Sequence, residues 1–156
     1  MAGGMISNQN YNLPSEEFYL TATAAVTAGA TYVINTATAL GTVDLLPTAA
    51  IVHQGAGDTP FWAGIACVCM ASAAAGAKTW FRTEGVVDAF VGNTLVAGTA
   101  LALDDNSTTL VAASTLAAAT ENVKVIAIAL QTGATGVRTK VLFSGKSGFG
   151  NFFKET

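Results

Sequence analysis

VKVIAIALQTGATGVRTKVLF, residues 123–143, is the stretch that decides the fold. In its second half Val137, Thr139, Val141 and Phe143 alternate with Arg138, Lys140 and Leu142. That period of two belongs to a half-buried strand. The first half, VKVIAIAL, is apolar on both faces apart from Lys124, as in a central strand. Between them QTGATG has the length and glycine content of a hairpin connection.

The same texture runs through most of the chain. Short Thr, Val, Ile and Ala segments are separated by Gly, Asn or Asp, the pattern of many short strands and tight turns. Strands are expected at residues 18–25, 31–35, 43–46, 49–52, 63–70, 78–84, 86–91, 100–103, 109–112, 123–130 and 137–144. Alanine content leaves two segments open to helix, 71–77 and 112–120, but both are shorter than the roughly 12 residues an isolated helix needs. No internal repeat stands out from the global Ala and Thr bias. The expectation is an all-β barrel or sandwich of eight to eleven strands over residues 18–144. A polar, aperiodic N-terminal arm (1–17) and a C-terminal tail (145–156) flank it.

The chain has 156 residues, of which 51% are hydrophobic and 11% charged, against a usual charged share of about 25%. So weakly charged a surface suits a component of an assembly better than a free enzyme. The apolar run 61–77 is too short and too rich in Ala and Gly to span a bilayer, so no membrane partner is expected. The first residues show no basic, apolar leader, which points to synthesis in a cytosol. With net charge −3 and no Lys or Arg cluster, nucleic acid is not an expected partner either.

Chemistry-bearing motifs fare poorly. Gly145-Lys146-Ser147 matches the end of a phosphate-binding loop, but the position that needs glycine is Lys140, and Gly148 and Gly150 would break the helix that must follow. Cys67 and Cys69 share a strand face, a geometry hostile to a mutual disulfide, and read as small buried hydrophobes. His53 is the single histidine, with no spacing that ties it to a nucleophile. Asp104 and Asp105 begin a turn rather than a calcium loop. The expectation is no enzyme, with no catalytic residue, cofactor or metal site.

Aromatic residues say more. Trp62 follows Phe61, Trp80 precedes Phe81, and adjacent strand residues face opposite ways, so one of each pair is core and the other lies on the second face. Phe149, Phe152 and Phe153 crowd a glycine-rich end that shows no strand or helix period. Phe149, Phe152, Phe153, Trp62 and Trp80 are therefore the candidate interaction residues, against a neighbouring subunit or a larger assembly, the alternative for the tail being that it folds back over its own barrel. A sugar platform is the alternative use of such aromatics.

The order GIACVCMASAAAGAKTWFRTEGVVDAFV and then VIAIALQTGATGVRTKVLF resembles the small phage-encoded capsid decoration, or cement, proteins over roughly residues 20–143. The resemblance lies in the succession of β segments and the closing hairpin. It implies a β-tulip-like barrel that forms homotrimers and binds the major capsid protein on the outside of an icosahedral head, assembled in the host cytoplasm. The N-terminal arm and the aromatic tail are not part of that pattern. The alternative is a glycan-binding or host-attachment module of a virion or cell surface.

Overall fold

The computed structural model describes residues 15–35, 42–44, 53–54, 64–103, 107–116 and 122–153. The chain is all-β. Its strands are β1 (Glu16–Ala22), β2 (Thr31–Asn35), β3 (Thr42–Asp44), β4 (His53–Gln54), β5 (Gly64–Cys69) and β6 (Lys78–Phe90), followed by β7 (Ala100–Leu103), β8 (Leu110–Ala112), β9 (Asn122–Lys124), β10 (Ala127–Ala129), β11 (Arg138–Ser144) and β12 (Asn151–Phe153). One helical turn, α1 (Ala113–Leu116), follows β8.

The nine strands of the main sheet run β1-β3-β2-β5-β6-β11-β10-β7-β8, and β1 pairs a second time with β6. That second pairing closes a first five-stranded ring, β1-β3-β2-β5-β6. A second ring, β6-β11-β10-β7-β8, is closed by the parallel bridge between Val91 and Leu110. Both rings therefore share β6. Its first half is walled by β1 and β5, its second by β11. The two segments expected as separate strands, 78–84 and 86–91, are one because Gly85 adopts φ 112°, which lets the strand turn from one ring into the next without ending.

The rings are copies of one plan, contrary to the expectation of no repeat. Four loops of eight or nine residues interlock in pairs. In the first ring Val26 and Ala73 exchange backbone bonds of 2.9 and 3.1 Å, and in the second Leu95 and Gly133 do the same at 2.9 and 3.1 Å. Gly29 donates to Cys69 and Gly76 to Ala22; likewise Gly98 donates to Ala129 and Gly136 to Val91. All four of these glycines have positive φ, between 75° and 89°. Strand registers follow suit: Cys69↔Phe81 corresponds to Ala129↔Val141, and Tyr19↔Trp80 to Asp88↔Lys140.

Corresponding side chains fill corresponding cores. Ala22, Val26, Tyr32, Cys67, Cys69 and Phe81 fill the first ring; Val91, Leu95, Leu101, Ala127, Ala129 and Val141 occupy the same places in the second. Val33, Ala66 and Val68 point out of the first ring and are buried in the second cluster, so the rings pack on one another. At about 25 cal/mol per Å2 of apolar surface, each of the larger side chains among these, such as Phe81, Leu95 and Leu101, contributes on the order of 1.5–3 kcal/mol.

Several local expectations change. The strand expected at 18–25 starts at Glu16 and stops at Ala22, because residues 23–30 form an interlocking loop. Residues 71–77 form another such loop rather than a helix: backbone pairing to Val26 outweighs alanine's propensity. Of 112–120, the described part is helical only over α1. The strand expected at 123–130 bends at Val125 and Ile126, and its first part, β9, joins a separate sheet ordered β12-β9-β4. The aperiodic tail contains a strand after all, β12, paired as Asn151↔Lys124, Phe152↔Val123 and Phe153↔Asn122. The strand expected at 49–52 and most of the arm, 1–14, lie outside the described residues.

Candidate interaction surface

Alternation along β6 decides which aromatics reach the surface. Thr79, Phe81, Thr83, Val87 and Ala89 are buried, so Lys78, Trp80, Arg82, Glu84, Val86, Asp88 and Phe90 line the opposite face. Phe81 is wholly buried, with Tyr32 packed edge-on at 6.3 Å between ring centroids, while Trp80 is 48% exposed. Across the ladder from Trp80 stands Tyr19, 53% exposed, its ring 5.1 Å away and tilted by 39°. Sequence reasoning did not single out Tyr19; its place depends on β1 returning to pair with β6.

Cross-strand neighbours on the same face are polar. Glu17 lies opposite Arg82, whose Nε donates to Glu17 Oε1 at 2.9 Å and whose Nη2 donates to the same oxygen. On the other side of the aromatic pair, Thr21 lies opposite the exposed Lys78.

The Gly-Lys-Ser stretch resolves into structure. Gly145 sits where β11 leaves the ring, donating to the Thr83 carbonyl at 2.8 Å and accepting from the Ala66 amide at 3.2 Å. Lys146 donates to both carboxylate oxygens of Glu16, at 2.9 and 3.0 Å, and Thr83 Oγ1 donates to Glu16 Oε1 at 2.8 Å. Lys146, with Thr83 adding to it, holds the Glu16 carboxyl below its ordinary value. The sequence neighbours of a phosphate loop thus fasten the start of β1 to the end of β11.

Beyond them the tail runs along β9 and the residues after it: Phe149 donates its amide to Val125 at 2.8 Å, and Val125 donates to Gly150 at 2.9 Å. The Phe149 side chain is 41% exposed. It and Trp80 therefore sit beside different sheets. The backbones of Phe152 and Phe153 lie in β12, their side chains and Trp62 outside the described residues.

Cys67 and Cys69 are buried free thiols, both pushed up in pKa by burial. Among the described residues no group of three His, Cys, Asp or Glu side chains could hold a metal ion, and no helix is long and apolar enough to cross a membrane.

No protein-family model matches the chain, and no curated protein does. Among solved structures the fold is similar to that of the head fiber gp8.5 N base of bacteriophage phi29, with a TM-score of 0.53 and 14% sequence identity, covering 84% of this chain and 95% of that one.

Proposed function

We propose that this protein is a structural, non-enzymatic component of a phage virion, attached to the head. The observation that carries the reading is the likeness to the phi29 head fiber base, which takes in 84% of this chain and nearly all of that domain. The sparse charge of the chain and the exposed aromatics Phe18, Tyr19, Trp80 and Phe149 suit a protein that works by contact.

In finer terms we propose a decoration protein: a homotrimer on the outside of an icosahedral head, bound to the major capsid protein across capsomer seams. Such binding adds interface area only to the assembled shell and stabilises it by linkage, with no reaction performed. The end of the molecule that carries Phe149, Phe152 and Phe153 is assigned to the shell or to a neighbouring subunit.

Virions of the phage that carries the gene provide the test. The protein should co-purify with heads at a high, fixed ratio to the major capsid protein. Cryo-electron microscopy of heads with and without it should show the difference density on the outer surface at threefold or quasi-threefold positions. Density confined to a vertex or fiber would retain the virion assignment and overturn the cement role. Absence from purified virions would overturn both.

A further inference from the structure

The duplicated plan supplies an internal control for the surface of the first ring. At corresponding cross-strand positions the second ring carries Asp88 and Lys140, an ion pair at 3.1 Å, where the first carries Tyr19 and Trp80. One flanking row changes from charged to apolar, and the other keeps its cation but exchanges a threonine for an aromatic ring. In the second ring the rows are Val86 opposite Leu142 and Phe90 opposite Arg138, the guanidinium lying over the Phe90 ring at 5.7 Å. In the first they are Glu17 opposite Arg82 and Thr21 opposite Lys78. The fold thus accepts, at this place, a charged centre with an apolar row on one side and an aromatic–arginine row on the other. The first ring instead holds an exposed aromatic centre between two polar rows.

From this juxtaposition we infer that the first ring carries a carbohydrate-binding site, with Tyr19 and Trp80 as the stacking platform and the Glu17–Arg82 and Thr21–Lys78 rows as its hydrogen-bonding flanks. A sugar ring has an apolar face of C–H groups and an equator of hydroxyls, so it needs an aromatic surface with donors and acceptors beside it. Side chains two residues apart on a strand are separated by roughly 7 Å, which places each polar row at the margin of a ring stacked on the aromatic pair. Arg82 and Lys78 supply donors. Thr21 supplies a hydroxyl, and Glu17 an acceptor in Oε2, which the bonds from Arg82 leave unused. Two aromatics already in contact are also a preorganised surface. The inference is independent of where on a virion the protein sits.

The experiment is isothermal titration of the full-length protein with chitohexaose, cellohexaose and maltohexaose, repeated for Trp80→Ala, Tyr19→Ala and Lys140→Ala. At least one oligosaccharide should bind saturably, with Kd in the range of about 0.01–1 mM. Trp80→Ala and Tyr19→Ala should each weaken it by about tenfold or more, the loss of one aromatic contact. Lys140→Ala, in the second ring, should leave it within about twofold. Circular dichroism of each variant reports the fold, and both aromatic side chains are exposed enough for the fold to survive their removal. Failure of all three sugars to bind would overturn the inference, as would binding that survives both aromatic substitutions. A Trp80→Ala protein that changes oligomeric state while the unaltered chain binds no sugar would mark the patch as a subunit contact instead.

Discussion

Gly145→Ala tests the packing of the two rings most directly. A Cβ at this position would stand 1.8 Å from the Ala66 carbonyl oxygen and 2.6 Å from its carbon, both backbone atoms of β5 that cannot swing aside. To recover ordinary contact at 3.4 Å, β5 and the end of β11 must separate by about 1.5 Å. That movement breaks the Ala66 to Gly145 bond and strains the Gly145 to Thr83 bond. Overpacking costs about 1–3 kcal/mol and each lost bond about 0.5–1.5 kcal/mol, so the expected loss is about 3 kcal/mol. For a chain of this length that corresponds to a fall in Tm of about 6–12 °C, read by calorimetry or, as free energy, by urea titration. Two controls isolate the cause. Gly98→Ala faces open space and carries only the penalty of its positive φ, about 1–2 kcal/mol. Lys146→Ala removes an exposed ion pair and should cost about 1 kcal/mol or less. A Gly145→Ala protein within about 0.5 kcal/mol of the parent would refute the close approach of the rings.

Acid should find the Glu16–Lys146 tie. Because the folded carboxyl titrates below its unfolded value, its contribution is complete at neutral pH and is lost as pH falls through the folded pKa; Glu16→Gln should flatten the acid limb of a urea-stability profile and leave the alkaline limb unchanged. Cys67 and Cys69 should resist a thiol reagent until denaturant is added, and since Ala127 and Ala129 fill the corresponding places, the double alanine variant should still fold, as judged by circular dichroism. Light scattering should return three times 15.8 kDa for the free protein; a monomer at micromolar concentration would count against the trimer.

Much of the barrel was legible because alternation survives wherever one strand face is covered. Residues 138–143 show it: Thr139, Val141 and Phe143 are buried, and Arg138, Lys140 and Leu142 are not, whereas Val137, expected on the buried face, precedes the strand and is exposed. The opposed facings of Trp80 and Phe81 follow from the same rule. What escaped was the duplication, though it is written in GAKTWFRTEG and GVRTKVLFSG, where Gly, a base, Thr and a closing Gly recur at matching places. Its other half, AVTAGATYVI against TLVAGTALAL, preserves little beyond Ala-Gly, because small residues of many kinds fit the loop and the cores keep volume rather than identity. Gly85 misled for a related reason: a glycine in a strand reads as an end, and only the ladders on both sides show the strand continuing. VKVIAIAL gave no warning of its bend, since Val125 and Ile126 are both buried and neither face turns polar.

The candidate surface was half legible. Trp80 was marked by its alternation, but its partner Tyr19 and half of each polar row, Glu17 and Thr21, come from a strand some sixty residues earlier, and no local pattern announces that pairing. In the tail the phenylalanines drew attention as unpaired bulk, whereas the decisive residues there are Gly145 and Lys146, whose partners Ala66 and Glu16 are far away in sequence.

The shared strand β6 also bears on how the molecule carries force and how it comes apart. A protein made of two successive barrels on a linker would yield at the linker, each half surviving alone. Here a pull that separates the rings has to peel ladders from both sides of one continuous strand, in a region crossed again by the Phe90 to Gly29 and Thr31 to Thr108 bonds. Neither ring can lose β6 and remain closed, so melting one removes a wall from the other. The duplicated halves should therefore unfold as one cooperative unit, a mechanical fuse with a single rating.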